Sequence, residues 1–160
     1  NITEAGILRA IHLAEDTLKR AGNARPSIAV AALNPHAGDH GKFGREEIDI
    51  ITPAIEACQR QQMDVSGPWP SDTVFLKARR GEVDAVVTMY HDQGQIAIKL
   101  MGFERGVTVA GGLPIPIATP AHGTAFDIAG QNKANVSAIR QAFDLLLRMA
   151  KTHSDNKKSA

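Results

Sequence analysis

Two histidines in this sequence stand directly after apolar runs that stop abruptly. His36 lies in "NPHAG", after "SIAVAAL" (27–33), and His91 lies in "YHDQG", after "DAVVTM" (84–89). Neutral imidazole nitrogen is a common ligand for divalent metals. In open α/β sheets, ligands bind beyond the carboxyl ends of the strands. Two strand-end histidines, each flanked by Gly or Pro nearby, therefore point to a shared divalent cation, with a carboxylate or water completing its shell. The alternative for either histidine taken alone is a strand-end residue bonded to a neighbouring carbonyl. Asp92, adjacent to His91, is placed to orient that imidazole or to relay a proton. His40 shares the first loop but follows no strand and is expected in solvent. His12 is expected on a helix surface.

Two further stretches carry polar chemistry. Lys99 follows "QIAI" and is expected near the same edge, where it could hold an anion or exchange a proton, or else reach solvent as an ordinary strand lysine. "HGTAFDIAG" (122–130) has glycines that permit close backbone approach to a ligand and an acidic residue, Asp127, able to accept from ribose hydroxyls. No GxGxxG fingerprint is present, and composition alone reads this stretch as a structural turn. Cys58 sits mid-helix on an apolar face, so no nucleophile site is read there.

The elements that must hold these groups are legible from periodicity. A helix is expected over 3–21, capped by Thr3 and with Ile7, Ile11, Ala14 and Leu18 on one face. Covered strands are expected at 27–33 and 83–90. A helical pattern over 45–62 must kink or restart at Pro53 after a Thr52 cap. Residues 65–72 read as loop, followed by a short helix to about Arg80 capped by Ser71 or Asp72. Extended segments are expected at 95–100, 106–110 and 115–119, and a last helix at 134–150 with Val136, Ile139, Phe143, Leu146 and Met149 on one stripe. Helices alternating with covered strands predict an α/β layer fold with a mostly parallel sheet.

The bulk composition fits that class. The 160 residues are 43% apolar and 22% charged, with a net charge of +1 and one cysteine. These values argue against disorder, a nucleic-acid surface or a disulfide framework, and a reducing, cytoplasmic setting is expected. No apolar run approaches the ~20 residues that span a bilayer. The chain opens on Asn1 rather than methionine, and 152–160 read as a frayed tail. A partial chain of a longer protein is expected.

Taken together, "LNPHAGDHGKFGREEID", "DAVVTMYHDQGQIAIKLMGF" and "HGTAFDIAG" resemble the 4-hydroxythreonine-4-phosphate dehydrogenase (PdxA) family of pyridoxal phosphate biosynthesis, in its C-terminal half. The resemblance runs from about Ile2 to Met149. "HGTAFDIAGQNKAN" is also similar to the cofactor loop of isopropylmalate and isocitrate dehydrogenases. The resemblance implies an isopropylmalate dehydrogenase-like layered α/β fold, of which this is a partial chain of a two-domain enzyme working as a homodimer. Residues 1–130 would be central, dimerising and metal-binding, and 131–151 a helix returning toward the cofactor domain. A divalent metal (Zn, Mg, Mn, Co or Ni) would be held by His36, His91 and a third histidine from before Asn1, with the site completed across the dimer. Lys99 matches a substrate-contacting lysine. His122, Gly123, Thr124, Ala125, Asp127 and Asn135 match positions that contact NAD or NADP.

The chain departs from that pattern at two substrate-binding positions. Thr108 and Ile117 stand where the family carries asparagine and arginine. Arginine grips a phosphate through paired charge-assisted bonds that isoleucine cannot make. The implied activity is NAD(P)-dependent, metal-assisted oxidation of a secondary alcohol, with decarboxylation of the resulting β-keto acid. The alternatives are a paralogue acting on an aromatic cis-dihydrodiol carboxylate or on phosphothreonate, with Arg105 as a possible anion anchor, and a non-catalytic truncated binding module.

Overall fold

The structure, a computed structural model, describes residues 2–158. It forms two compact units, one built from residues up to 19 with 23–95, the other from 20–22 with the chain from 96 onward.

The first unit is a three-stranded parallel sheet in the order β2–β1–β3. Central strand β1 (Ile28–Ala31) is buried along its whole length, as its continuous apolar sequence requires. Its alternating side chains serve two layers. Ile28 and Val30 pack with Ile7 and Ile11 of α1 (Glu4–Arg20) and with Ile55 and Cys58 of α2 (Thr52–Arg60). Ala29 and Ala31 point the other way, to Val74 and Phe75 of α3 (Val74–Arg79). Thr3 caps α1 through its hydroxyl, which accepts from Gly6 N–H at 3.1 Å. β3 (Ala85–Val87) pairs with β1 in the register Ile28–Ala85, Ala29–Val86 and Val30–Val87.

β2 (Val65–Trp69) lies in a stretch expected as loop. Gly67 and Pro68 hid it, because both weaken strand propensity. The strand is tolerated because it stands at the edge of the sheet, and its pairing with β1 shifts register between Ala29 and Ala31. The 45–62 pattern divides as Pro53 demands. A π-helical turn (Glu47–Ile51) leads into α2 with Pro53 in the first turn, and no side chain caps that start, Thr52 included. Neither Ser71 nor Asp72 caps α3, whose flanking residue is Thr73.

The second unit pairs β4 (Val107–Ala110) and β5 (Ile117–Pro120) antiparallel, with α5 (Ser137–Lys158) packed on the hairpin. α4 (His91–Gly102) begins in the first unit and continues in the second. Its 95–100 segment was expected to be extended. The spacing of Ile96, Ile98 and Leu100 imitates a two-residue period but equally places Ile96 and Leu100 four apart on a helix. None of the side chains of α4 is buried, so no core selects between the two patterns. The apolar stripe expected on the last helix is also corrected. Ala138, Ala142 and Met149 form its buried line, whereas Val136, Ile139 and Phe143 are about half exposed or more. The backbone of 152–158, read as tail, continues α5, and the last two residues lie outside those described. Among the described residues, no helix is long and apolar enough to cross a membrane.

Ile11 is fully enclosed between α1 and the sheet. Truncation Ile11→Ala should destabilise by about 2–5 kcal/mol, read as a lowered urea midpoint. Leu100→Ala, at an 83% exposed position, should leave the midpoint of this chain nearly unchanged.

Candidate functional site at the carboxyl edge of the sheet

β1 and β3 run parallel and side by side, so the loops that follow them leave the same edge of the sheet. His36 follows β1 and His91 opens α4 just after β3. The two imidazoles named from sequence are therefore carried at one edge, His36 by the loop after β1 and His91 by the first residue of the helix after β3.

The loop after β1 is conformationally unusual. Residues 36–40 all adopt left-handed backbone angles, with φ of 54° at His36, 54° at Ala37, 81° at Gly38, 43° at Asp39 and 55° at His40. Only Gly38 does so without a Cβ clash. A run of this kind persists only where its surroundings over-determine it, and here Glu47 supplies the constraint. Its side chain is 3% exposed. Oε1 accepts from Leu33 N–H at 2.8 Å and Asn34 N–H at 2.7 Å, and Oε2 accepts from the Asn34 side-chain amide at 2.9 Å. The same amide donates to Glu46 Oε2 at 2.7 Å. Gly38 is buried against this carboxylate, where an added Cβ would lie 2.7 Å from Oε2. At Gly44 a Cβ would collide with the Asn34 amide.

Burial alone would raise the Glu47 pKa. The Asn34 side-chain bond and the backbone N–H donors outweigh it, so the carboxyl titrates below its ordinary value of 4.5. Sequence inspection passed over Glu47, although "REEID" offered a signal: a second acidic residue at a helix start that faces the core.

The loop after β3 is built differently. His91 and Asp92 are exposed, with side chains 77% and 71% accessible, and His91 Nδ1 lies 2.8 Å from Asp92 Oδ1. That contact occupies one ring nitrogen and leaves Nε2 open. The His36 ring tilts beside Phe43, with centroids 6.1 Å apart. Two exposed imidazoles at one sheet edge, that of His91 held by Asp92, fit as part of a cation's donor set. They do not complete one, because no grouping of three His, Cys, Asp or Glu side chains suited to a metal occurs among the described residues. His40 and His12 are exposed, as expected. Burial pushes the Cys58 thiol up, as suits an inert core cysteine.

The remaining candidates belong to the second unit. Lys99 is exposed on α4. In the hairpin register, Thr108 faces Thr119 and Ala110 faces Ile117. These four share the exposed face, while Val107, Val109, Ala118 and Pro120 are half-buried on the other. Arg105 is engaged elsewhere. Its Nη2 and Nε donate to the Gln141 side-chain carbonyl, with that amide turned to meet them, at 2.8 and 3.0 Å. His122 to Gly130 form an exposed loop with one 3-10 turn (Phe126–Ile128) and a left-handed Ala125. His122 Nδ1 meets Gly123 O at 2.9 Å, and Gln131 donates to Asp127 O at 2.7 Å. Asn135 Oδ1 accepts from Ser137 N–H at 2.9 Å at the start of α5, and its amide reaches Glu104 Oε2 at 3.4 Å.

Comparison with known proteins gives the following. The family model of the pyridoxal phosphate biosynthetic protein PdxA matches residues 1–146. A 4-hydroxythreonine-4-phosphate dehydrogenase of Beijerinckia indica is 53% identical over 89% of this chain and 42% of its own length. A D-threonate 4-phosphate dehydrogenase of Salmonella typhimurium is 48% identical over 93% and 46%. Among solved structures, a 4-hydroxythreonine-4-phosphate dehydrogenase from Klebsiella pneumoniae superposes with a TM-score of 0.81 at 45% identity, covering 94% of this chain and 45% of that one. A terephthalate 1,2-cis-dihydrodiol dehydrogenase from Burkholderia xenovorans reaches 0.73 at 32% identity, over 91% and 46%. The chain thus spans a little under half the length of these relatives.

The depressed Glu47 carboxyl makes stability depend on pH. Its contribution is complete above the ordinary value of 4.5 and is lost as pH falls through the lower folded value. The substitution Glu47→Ala strands the Leu33 and Asn34 N–H donors, at about 1–3 kcal/mol each. Its urea midpoint should fall markedly at pH 7 and lose part of the wild-type sensitivity to acid below pH 4.5. Equal acid sensitivity in both proteins would exclude Glu47 as a contributor.

Proposed function

Since this chain belongs to the PdxA family, we propose that the full-length protein is a dehydrogenase that oxidises a secondary alcohol of a hydroxy acid. The resulting β-keto acid then loses carbon dioxide. The observation that supports this reading most is the parallel β1–β3 pair, with His36 after one carboxyl end and His91 after the other.

His36 and His91 would supply two imidazole ligands to a divalent metal, whose chemistry is that of a Lewis acid on the substrate hydroxyl and carbonyl oxygens. Asp92, in contact with His91 Nδ1, would fix that ring so that Nε2 points outward. The loop from His122 to Gly130, with Asn135, would hold NAD or NADP, the acceptor of the hydride from the carbinol carbon. Glycines at 123 and 130 leave room for close backbone approach, and Asp127 offers a carboxylate to a ribose. Lys99 would hold the substrate or donate the proton taken up by carbon as carbon dioxide leaves, and Asp92 would relay away the hydroxyl proton released in the oxidation.

The exposed apolar side chains of the second unit, Leu100, Ile115 and Phe126 foremost, suit a surface that is covered in a homodimer of the full-length protein. A small-molecule enzyme of pyridoxal phosphate biosynthesis is the setting that the family name suggests.

One observation favours a substrate different from the phosphorylated hydroxythreonine. The exposed hairpin face offers Thr108, Ala110, Ile117 and Thr119, with no cation among them, and Arg105 is tied to Gln141. A phosphate brought to that face would lose charge-assisted bonds of about 1.5–3 kcal/mol. That departure leaves D-threonate 4-phosphate, for which relatives at 46–50% identity are named, and an aromatic cis-dihydrodiol carboxylate, for which a solved structure at 32% identity is named, as the alternatives to 4-hydroxythreonine 4-phosphate.

The test is cofactor reduction by the full-length protein with a divalent metal, on 4-hydroxythreonine 4-phosphate, D-threonate 4-phosphate and an aromatic cis-dihydrodiol carboxylate. Turnover on either phosphorylated acid would support the dehydrogenase reading and set its substrate class, and turnover on none of the three would overturn it. Replacing Ile117→Arg together with Thr108→Asn should raise kcat/KM on the phosphorylated substrates at least about tenfold, as expected for one charge-assisted contact. The substitution His91→Ala should abolish turnover on all three, and wild-type turnover by that variant would remove His91 from the site.

A further inference from the structure

The β1–β3 backbone pairing stops at Val30–Val87. Extending that register by two residues would bring Ala32 opposite Met89. The two do not bond to each other. The Gln93 side chain stands between them: Nε2 donates to Ala32 O at 2.9 Å, and Oε1 accepts from Met89 N–H at 2.8 Å. A side-chain amide has the same donor and acceptor as a peptide group, so Gln93 acts as a substitute rung of the sheet. It satisfies two main-chain groups by bridging the two strand ends. On its other side Ala32 remains in the sheet, its N–H donating to Trp69 O at 2.7 Å. The bridged side is the one on which His36 and His91 follow the strands.

We propose that Gln93 is a positioning residue that sets the separation of the two histidine-bearing loops and thereby the affinity of the site for a divalent cation. This rests on the reading that His36 and His91 are metal ligands. Helix capping is the competing role, since Gln93 Oε1 reaches back to an N–H that precedes α4, much as the third residue of a capping box does. A cap uses only the acceptor. The donor bond to Ala32, 61 residues away in sequence, is what a cap leaves without purpose.

Two substitutions separate these roles. The variant Gln93→Glu keeps the acceptor for Met89 and suits a helix start, but it sets a carboxylate oxygen against the Ala32 carbonyl. The variant Gln93→Met keeps the length and removes both bonds. The measurement is titration of metal-free full-length protein with Co2+ alone, followed by calorimetry and by the visible spectrum of the bound ion, with urea midpoints recorded for each variant. Both variants should bind Co2+ at least tenfold more weakly than wild type, with an altered spectrum, while the midpoint of Gln93→Glu, which keeps one bond, falls less than that of Gln93→Met, which keeps neither. Wild-type Co2+ affinity and spectrum in a folded Gln93→Glu protein would overturn the proposal and leave Gln93 a helix cap. His36→Ala and His91→Ala serve as controls. If both bind Co2+ like wild type, the metal reading fails and the proposal fails with it. If both lose binding while the Gln93 variants keep it, the proposal alone fails.

Discussion

The loop that displays His36 at the carboxyl edge of the sheet depends on one buried carboxylate. Glu47 holds the last residues of the β1 run through Leu33 and Asn34 and braces the underside of the following loop at Gly38. Four non-glycine residues of that loop are left-handed, at roughly 1–2 kcal/mol each. Three hydrogen bonds to a charged group contribute about 1.5–3 kcal/mol apiece. The two sums are of similar size, so the loop keeps its shape only while the clamp is intact. Without it the segment would relax toward ordinary turns, and His36 would no longer leave the sheet at a defined angle. The stability of the loop is thus spent on direction rather than on compactness.

How much of this could be read from the sequence follows from which force shapes each part. β1, β3, α1 and the strand-end positions of His36 and His91 were legible, because a continuous apolar run and an amphipathic period record burial directly. β2 was not, since Gly67 and Pro68 obscure a strand that exists because an edge position tolerates them. The 95–100 part of α4 reads as extended in sequence because nothing buries its side chains, and burial is what makes period informative. The role of Glu47 was invisible for the converse reason. A buried carboxylate differs from a surface one only through its partners, and those partners stand 13 and 14 residues away. Gln93 in "YHDQG" escaped notice on the same grounds.

The second unit shows what a sequence pattern means when only part of its context is present. α5 has two apolar lines, and the β4–β5 hairpin covers the narrower one, led by Ala138 and Ala142. The bulkier line through Ile139 and Phe143 stays in contact with solvent. Small residues sit where the helix meets the hairpin closely, and large ones where the surface is broad enough to cover a further layer. A chain that spans under half the length of its relatives would be expected to leave such faces open. The same reasoning bears on the hairpin's other face: Thr108, Ala110, Ile117 and Thr119 stay uncharged there, and its chemistry follows from those side chains whatever comes to cover them.

The β1–β3 pair is closed at both ends by side chains that stand in for backbone. At the amino end, Asp84 Oδ2 accepts from Ser27 N–H at 2.8 Å while Asp84 N–H donates to Ser27 O at 2.8 Å. At the carboxyl end, Gln93 does both jobs with one amide. The chemistry of the two ends is suited to different tasks. A carboxylate can only accept, so Asp84 needs the help of its own backbone and draws the strands together. An amide donates and accepts at once, so Gln93 can stand between two strands and keep both main chains satisfied as they part. Separation at the carboxyl edge is what a parallel sheet needs to open a crevice there without leaving buried N–H and C=O groups unpaired. An apolar side chain at position 93 would hold the space and forfeit the bonds, whereas unbroken backbone pairing would keep the bonds and close the space.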